Sequence, residues 1–201
     1  FRSEFGENTE EFSLDFTEPW FMDRKLLFGS KIFTSSKDYD SSDYSEDRKG
    51  IVLRLAKPVF KYSRAELRYS FENVEVRNVD DDASAYLRSQ EGQRNVGKVG
   101  FSLVRDVRDN YFNATQGSRL SLDTELAGVG GEIDYYRTVL ASDLYYNPIF
   151  NNVFVVSLKA GLVEEYGRSD DVPIFDRFFL GGAWSVRGYD YRDIGPHDEM
   201  D

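Results

Sequence analysis

The chain has 201 residues, with 25 Lys or Arg against 36 Asp or Glu, so its formal net charge is −11. It contains no Cys and a single His, which excludes disulfides, thiolate sites and metal sites built from several histidines. The acidic surplus argues against a nucleic-acid partner, because such binding needs a cationic surface.

Alternation of apolar and polar residues predicts eight β-strands and no convincing helix. In chain order, the predicted strands centre on residues 12–16, 26–34, 51–55, 64–72, 99–103, 119–126, 135–145 and 154–163. In the three clearest strands, one face carries 13 residues and no charge, whereas eight of the 14 residues on the other face are charged. A charge facing lipid at mid-bilayer costs about 2–4 kcal/mol, which would explain why one face of these strands carries no charge. We therefore predict an all-β, antiparallel transmembrane β-barrel segment whose charged face lines a wet lumen.

The predicted connections alternate in length. Short links fall at 17–25, 57–63 and 147–152, and long polar links fall at 35–50, at 77–95 and after residue 164. Outer-membrane barrels have tight turns on the periplasmic side and longer loops outside. The link at 128–134 departs from this rule, since it is short where a long loop is expected.

Aromatic residues recur at the short turns. In three of these turns a Pro is followed two positions later by a Phe. The predicted interface girdle comprises Trp20, Phe21, Phe60, Tyr111, Phe112 and Phe150. Rings at every turn on one side would form a belt at the boundary between membrane and water. The alternative is that the rings close the bottom of a soluble barrel.

The sequence offers no catalytic constellation. The single histidine, His197, lies in the polar tail near Asp198 and Glu199, with no Ser or carboxylate arrangement to accompany it. The glycines at 128–131 are not followed by a helical pattern, as a phosphate cradle would require. We predict that the chain is not an enzyme and binds no metal or cofactor.

The segment at 178–189 combines a glycine pair with an arginine among apolar residues. The residues of this motif are Gly181, Gly182, Val186, Arg187, Gly188 and Tyr189. Glycine lets a backbone bend and approach another backbone closely, and a lone Arg among apolar groups needs a buried acceptor or an aromatic face. We expect this segment to fold back into the charged lumen with Arg187 held there. A plain exposed loop is the alternative.

This motif, with residues 179–180 before it and 194–196 after it, resembles the loop-six signature of the BamA-like outer-membrane assembly factors of the bacterial surface antigen superfamily. A second resemblance lies in a turn motif upstream, which comprises Asp106, Arg108, Asp109 and Gly117. The proline usual in that turn is replaced here by the Asn113-Ala114-Thr115 stretch. The resemblance covers nearly the whole chain.

The resemblance implies a barrel of about 16 strands, preceded by POTRA domains, that folds and inserts other β-barrel proteins in the bacterial outer membrane. Residues 1–201 would hold strands four to eleven and, from about 165, the start of loop six, with open edges and no POTRA domain. Implied partners are outer-membrane lipids, unfolded outer-membrane proteins, and lipoproteins that act through the POTRA domains; nucleic acid is not among them. The implied mechanism is strand templating at a weak seam, without covalent chemistry. A two-partner secretion transporter and a soluble β-sandwich binding module remain as alternatives.

Overall fold

The computed structural model describes residues 2–6, 9–39, 44–81, 83–148, 152–182, 185–190, 192 and 194. These residues form one antiparallel sheet in which nine strands lie side by side in chain order, so that the first and last strands are edges. The strands are β1 (Arg2–Gly6), β2 (Thr9–Glu18), β3 (Leu27–Tyr39), β4 (Tyr44–Phe60), β5 (Ser63–Arg77), β6 (Gly92–Asp106), β7 (Gly117–Ala127), β8 (Tyr135–Tyr146) and β9 (Phe154–Glu165). The short helix α1 (Ala85–Ser89) and two 3₁₀ turns, Phe21–Asp23 and Ile174–Asp176, complete the described elements. None of these helices is long and apolar enough to cross a membrane.

All eight predicted strands are present, and the all-β prediction is confirmed. The sequence pattern missed β1, which pairs with β2 but is too short to display an alternation. It also missed α1, a helix of five residues. The Ser84 hydroxyl caps this helix by accepting the Leu87 amide at 3.1 Å, and five residues are too few to show a helical period.

The predicted long link at 35–50 was also wrong, because most of it is strand. Strand β3 continues to Tyr39 and β4 begins at Tyr44, with pairs such as Ser35↔Arg48 and Lys37↔Glu46. Both faces of this extension are polar, so the alternation that marks a half-apolar strand disappears there. The link at 77–95 does contain a loop, at 78–91, which carries α1.

The pairing register gathers the apolar side chains on one face of the sheet, here called the outer face. Leu55 pairs with Leu67, which pairs with Phe101 on the next strand. Directly paired residues point to the same side of a sheet, so these contacts form continuous rows. Leu67 is 56% exposed, whereas the neighbouring Arg68 side chain, on the opposite face, is only 25% exposed. The predicted assignment of the two faces is therefore confirmed for these central strands, where the apolar residues are open and the neighbouring charged side chain is less exposed.

The opposite, inner face carries charged residues in mid-strand and an apolar core near one end. This core forms at the end of the sheet that carries the 78–91 loop and the chain after β9, here called the loop end; the other end is the turn end. Its buried members are Tyr44, Val74, Val76, Ala83, Leu87, Val96, Ala127, Ile133, Tyr135, Val172 and Phe175. The core therefore joins the inner face to the 78–91 loop and to the chain that follows β9.

Candidate functional site: the loop-six segment on the inner face

The chain turns back over the inner face directly after β9; residues 166–194 are called the loop-six segment below. Two hydrogen bonds of 2.9 Å run from the Arg168 guanidinium to the Asp134 carboxylate, and the Arg168 amide adds a third at 3.0 Å. These contacts lower the pKa of Asp134 to about 2. Because Asp134 directly precedes β8, the ion pair fixes the start of the segment to the loop end of the sheet.

Asp176 is the charged centre of the contact between the segment and the sheet. Its carboxylate lies 3.1 Å from the Lys98 ammonium of β6 and accepts a hydrogen bond from the Tyr135 hydroxyl of β8. The Arg48 guanidinium of β4 lies 3.8 Å away. Burial raises the pKa of the Asp176 carboxyl, but Lys98, Arg48 and the Tyr135 hydrogen bond together lower it by more, so the net direction is downward. One loop carboxylate thus connects three strands that are not neighbours.

The two cations around Asp176 are shared with carboxylates of the sheet itself. Glu72 lies 3.7 Å from Lys98 and 3.5 Å from Arg48, and Arg48 also pairs with the buried Glu46. Arg48 further donates a hydrogen bond of 2.9 Å to the Phe175 carbonyl. Three carboxylates and two cations therefore form one buried network, here called the anchor cluster.

An aromatic contact next to the anchor cluster also attaches the loop-six segment to the sheet. The Phe178 ring lies 4.6 Å from the Arg137 guanidinium and packs on Gly161 of β9, where a Cβ atom would stand 2.6 Å from the ring. A larger residue at 161 would push the ring away, so glycine is required for this close approach.

The 78–91 loop packs against the side of the loop-six segment that faces away from the sheet. The Tyr86 hydroxyl donates a hydrogen bond of 2.7 Å to the Val172 carbonyl, and the Arg177 guanidinium stacks 4.1 Å from the Tyr86 ring. Burial raises the pKa of Tyr86 to about 12. The segment is thus held between the inner face of the sheet and this loop.

The described part of the predicted loop-six motif folds into a compact turn. Gly181 and Gly182 have φ of +114° and +85°, and Gly188 has φ of +92°, a region that favours glycine. The Gly182 amide donates to the Tyr189 carbonyl at 2.9 Å, and Ser185 bonds both backbone groups of Gly181. The glycines therefore serve the close backbone contacts that were expected of them. Residues 183, 184, 195 and 196 lie outside the described residues.

The anchoring of Arg187 in the lumen stays a prediction, because the described chain leaves this residue exposed. Val186 is half-buried, but Arg187 and Tyr189 are exposed, and Arg187 forms no hydrogen bond or ion pair with the residues that the structure describes. The expectation that the segment returns to the inner face is confirmed, whereas within the described chain the attachment runs through Asp176. The contribution of Arg187 in a larger assembly stays a prediction.

The four residues of the predicted turn motif meet between β6 and β7. Arg108 forms a two-pronged ion pair with Asp106, at 2.9 and 2.6 Å. Asp109 accepts hydrogen bonds from the Thr115 hydroxyl and from the amides of 110, 115 and 116, which hold the pKa of its carboxyl well below the usual range. Gly117 has φ of +106°, and a Cβ there would lie 2.3 Å from the Val107 carbonyl oxygen. The motif therefore stabilises the β6–β7 turn through contacts within residues 106–117.

The described girdle residues lie at the turn end, in or next to the links that join an even-numbered strand to the next odd one. Four of them are exposed: Trp20, Phe60, Tyr111 and Phe112. Phe21 is half-buried and stacks on Phe28 with ring centroids 5.0 Å apart. Phe150 and His197 lie outside the described residues. Contact between these rings and lipid stays a prediction.

Sequence reasoning missed the anchor cluster. Two signals were present: Lys98 lies on the inner face of its strand, and Asp176 is an acid inside the aromatic stretch 174–179. Neither signal identifies the partner, because the two residues are 78 positions apart.

The anchor cluster is arranged to hold chain segments together. Its carboxylates face cations at ion-pair distances, and no group of three or more His, Asp or Glu side chains suited to a metal ion occurs among the described residues. The arrangement supplies position and rigidity.

Open apolar rows, a charged inner face and a returning loop define a segment of an outer-membrane β-barrel. A family model described as the Omp85 superfamily domain matches residues 1–201. The chain therefore belongs to the Omp85 superfamily.

Curated relatives come from bacteria and from animals. The chain is 32% identical over 196 residues to the outer membrane protein assembly factor BamA of Nitratidesulfovibrio vulgaris, which covers 96% of this chain and 24% of that protein. It is 27% identical over 204 residues to the sorting and assembly machinery component 50 homolog of Homo sapiens, covering 100% of this chain and 43% of that protein. The chain thus spans less than half the length of each of these relatives.

A solved structure shares the fold. The crystal structure of BamA from Haemophilus ducreyi lacking POTRA domains 1–3 matches with a TM-score of 0.81 at 21% identity, covering 94% of this chain and 39% of that chain. The nine-strand meander is therefore similar to a part of that barrel.

Proposed function

We propose that this chain is the central barrel segment of a bacterial outer-membrane insertase that folds and inserts other β-barrel proteins. The observation that carries the proposal is the loop-six segment fixed on the inner face by the anchor cluster. A passive porin needs a water-filled lumen, whereas here the chain itself covers the lumen-facing wall. Membership of the Omp85 superfamily, and relatives named as assembly factors, give further support.

The proposed mechanism is mechanical and non-enzymatic. The anchor cluster ties together β4, β6 and β8, which span four strand spacings, or about 19 Å of the wall. A wall braced in this way resists sliding between its strands, so opening is confined to a weaker seam between other strands of the parent barrel. An unfolded client then adds its strand to the exposed edge of that seam.

The partners in this proposal are unfolded outer-membrane proteins, lipids of the outer membrane, and lipoproteins that act through POTRA domains of the parent protein. Residues 1–201 contribute barrel strands and the start of loop six. Arg187, with its motif neighbours, would brace the barrel by reaching an acidic residue on a strand beyond this chain.

Depletion of the parent protein in its bacterial host tests the function. We expect many different β-barrel proteins to disappear from the outer membrane together, and wild-type complementation to restore them. Loss of one secreted protein, with the barrels unchanged, would instead identify a two-partner secretion transporter. Reconstitution gives a second measure: full-length protein in liposomes should accelerate the acquisition of protease resistance by an unfolded barrel client.

A further inference from the structure

Two cations continue the outer apolar rows where these rows reach the turn end. Lys57 follows Ile51, Leu53 and Leu55 at alternate positions of β4, and Arg105 follows Leu103 in the same way on β6. Both pair with β5, Lys57 with Ala65 and Arg105 with Ser63, and both are exposed. They therefore point away from the lumen, at the edge of the apolar band.

A third cation and two rings lie beside them in the β4–β5 turn. The Lys61 ammonium lies 5.0 Å from the centre of the Tyr62 ring, Tyr62 is 60% exposed and Phe60 is 75% exposed. Lys57, Phe60, Lys61, Tyr62 and Arg105 are called the rim patch below. Neither residues 57–65 nor residues 101–105 include an acid.

The cations of the rim patch lack the ion pairs that Arg48 and Lys98 form on the inner face. No ion pair joins Lys57, Lys61 or Arg105 to any residue that the structure describes, whereas Arg48 and Lys98 each contact two or more carboxylates. Charge complementarity is therefore unmet at the rim patch, and an external anion would supply it.

The height of the rim patch matches the headgroup layer. Lys49 and Lys57 flank the apolar row of β4, eight residues apart, which is about 26 Å along the strand and about 20 Å along the membrane normal at the usual barrel tilt. The apolar band of an outer-membrane barrel is about 25 Å tall, and a lysine extends its ammonium toward water. Lys57 and Arg105 are about 12 Å apart at their Cα atoms, so both side chains can reach one phosphodiester.

We propose that the rim patch binds the phosphate headgroup of an anionic phospholipid in the leaflet at the turn end, with the acyl chains lying along the outer apolar rows. This inference rests on the membrane-spanning barrel proposed above. The rings of Phe60 and Tyr62 would lie at the level of the glycerol backbone, where aromatic side chains partition.

Photocrosslinking of the full-length protein tests the site. The protein is reconstituted in phosphatidylcholine vesicles that contain a small fraction of photoactivatable phosphatidylglycerol, and lipid adducts on the 57–65 hairpin are quantified by mass spectrometry. Each cation removed should lower the adduct yield roughly fivefold, in the series Lys61→Gln, then Lys57→Gln, then Arg105→Gln. Lys49→Gln is the matched control: this exposed lysine lies on the same face of β4 at the opposite end, and its replacement should leave those adducts unchanged.

Three results would overturn the proposal: equal labelling by photoactivatable phosphatidylcholine, unchanged labelling in the triple variant, or displacement of the lipid by inorganic phosphate. Heat-modifiable migration on gels confirms that each variant is folded. The single Lys61→Gln variant changes only a turn residue and keeps the test decisive if the triple variant does not fold. Adducts are scored on the folded barrel without any client, so failure of client insertion and failure of lipid binding are distinguishable.

Discussion

The Asp176 carboxylate contacts side chains from three separate strands. Such a buried pair contributes little net stability, because desolvation offsets most of the attraction between the charges. Removing a single partner is costly nevertheless, since the remaining buried charges lose their compensation. The anchor cluster therefore acts chiefly to specify where the loop-six segment lies.

The first prediction concerns this residue. Asp176→Asn in the full-length protein should weaken docking of the segment by about 3 kcal/mol, because Lys98 and Arg48 then lack one carboxylate. Trypsin cleavage after Arg177, measured on the folded barrel, should accelerate roughly 100-fold. Asp170→Asn, an exposed acid in the same segment, is the control and should leave the rate unchanged. Equal cleavage of the two variants would remove Asp176 from the anchoring role.

A pH dependence follows from the Asp134–Arg168 ion pair. A carboxyl whose pKa is lowered on folding stabilises the folded state above its ordinary pKa of about 4, and this contribution disappears as the pH falls toward the folded value of about 2. The Arg168 amide donates to this carboxylate, so its protection from hydrogen exchange should fall between about pH 4 and pH 2. Asp134→Asn should abolish that acid-specific change. Loss of protection near neutral pH in the wild-type protein would contradict the assignment.

At the level of elements, the strands of a hairpin and the turn that joins them are stabilised by different kinds of interaction. The β6–β7 turn is closed by Asp109 and by the positive φ of Gly117, which are local interactions. The strands, in contrast, depend on their surroundings: the outer rows need hydrocarbon and the inner rows need counter-charges. Adjacent residues of one strand therefore tolerate opposite kinds of substitution.

The neighbouring residues Phe101 and Ser102 of β6 test this division. Phe101→Lys places a charge among the outer rows and should lower the free energy of unfolding in liposomes by about 2–4 kcal/mol. Ser102→Lys faces Glu66 and Asp123 on the inner face and should cost far less. Denaturant titration of the two full-length variants measures the difference. Similar destabilisation by both would mean that the outer face does not contact lipid.

On the scale of the whole molecule, the sheet described here has two open edges, β1 and β9. Edge strands present unpaired backbone groups that pair readily with other chains. In the parent barrel, further strands would satisfy these groups.

Residues 1–201 produced alone should therefore require detergent and self-associate. Size-exclusion chromatography with light scattering measures this, and the full-length protein in the same detergent is the control, expected to be monodisperse. A folded monomer without detergent would support the soluble β-sandwich alternative and would count against the membrane barrel.

The sequence by itself determined the elements that follow from local periodicity. Alternation in 64–72 and 119–126 located strands and their faces, because a strand with one apolar and one charged face repeats every two residues. Turn devices at 106–117 and the glycine-rich motif at 181–189 were also visible, since their residues are close in the chain. Periodicity failed at β1, which is too short, and in 35–50, where both strand faces are polar.

Only the tertiary structure decided what the loop-six segment contacts. The partners of Asp176 come from β4, β6 and β8, at distances in the chain that no local pattern encodes. The burial that makes a carboxylate and a lysine interact strongly arises when the inner face is covered, so neither residue is distinguishable beforehand from an ordinary charged position. The same reason applies to Arg187, because its sequence context predicts an anchored side chain without identifying the acceptor.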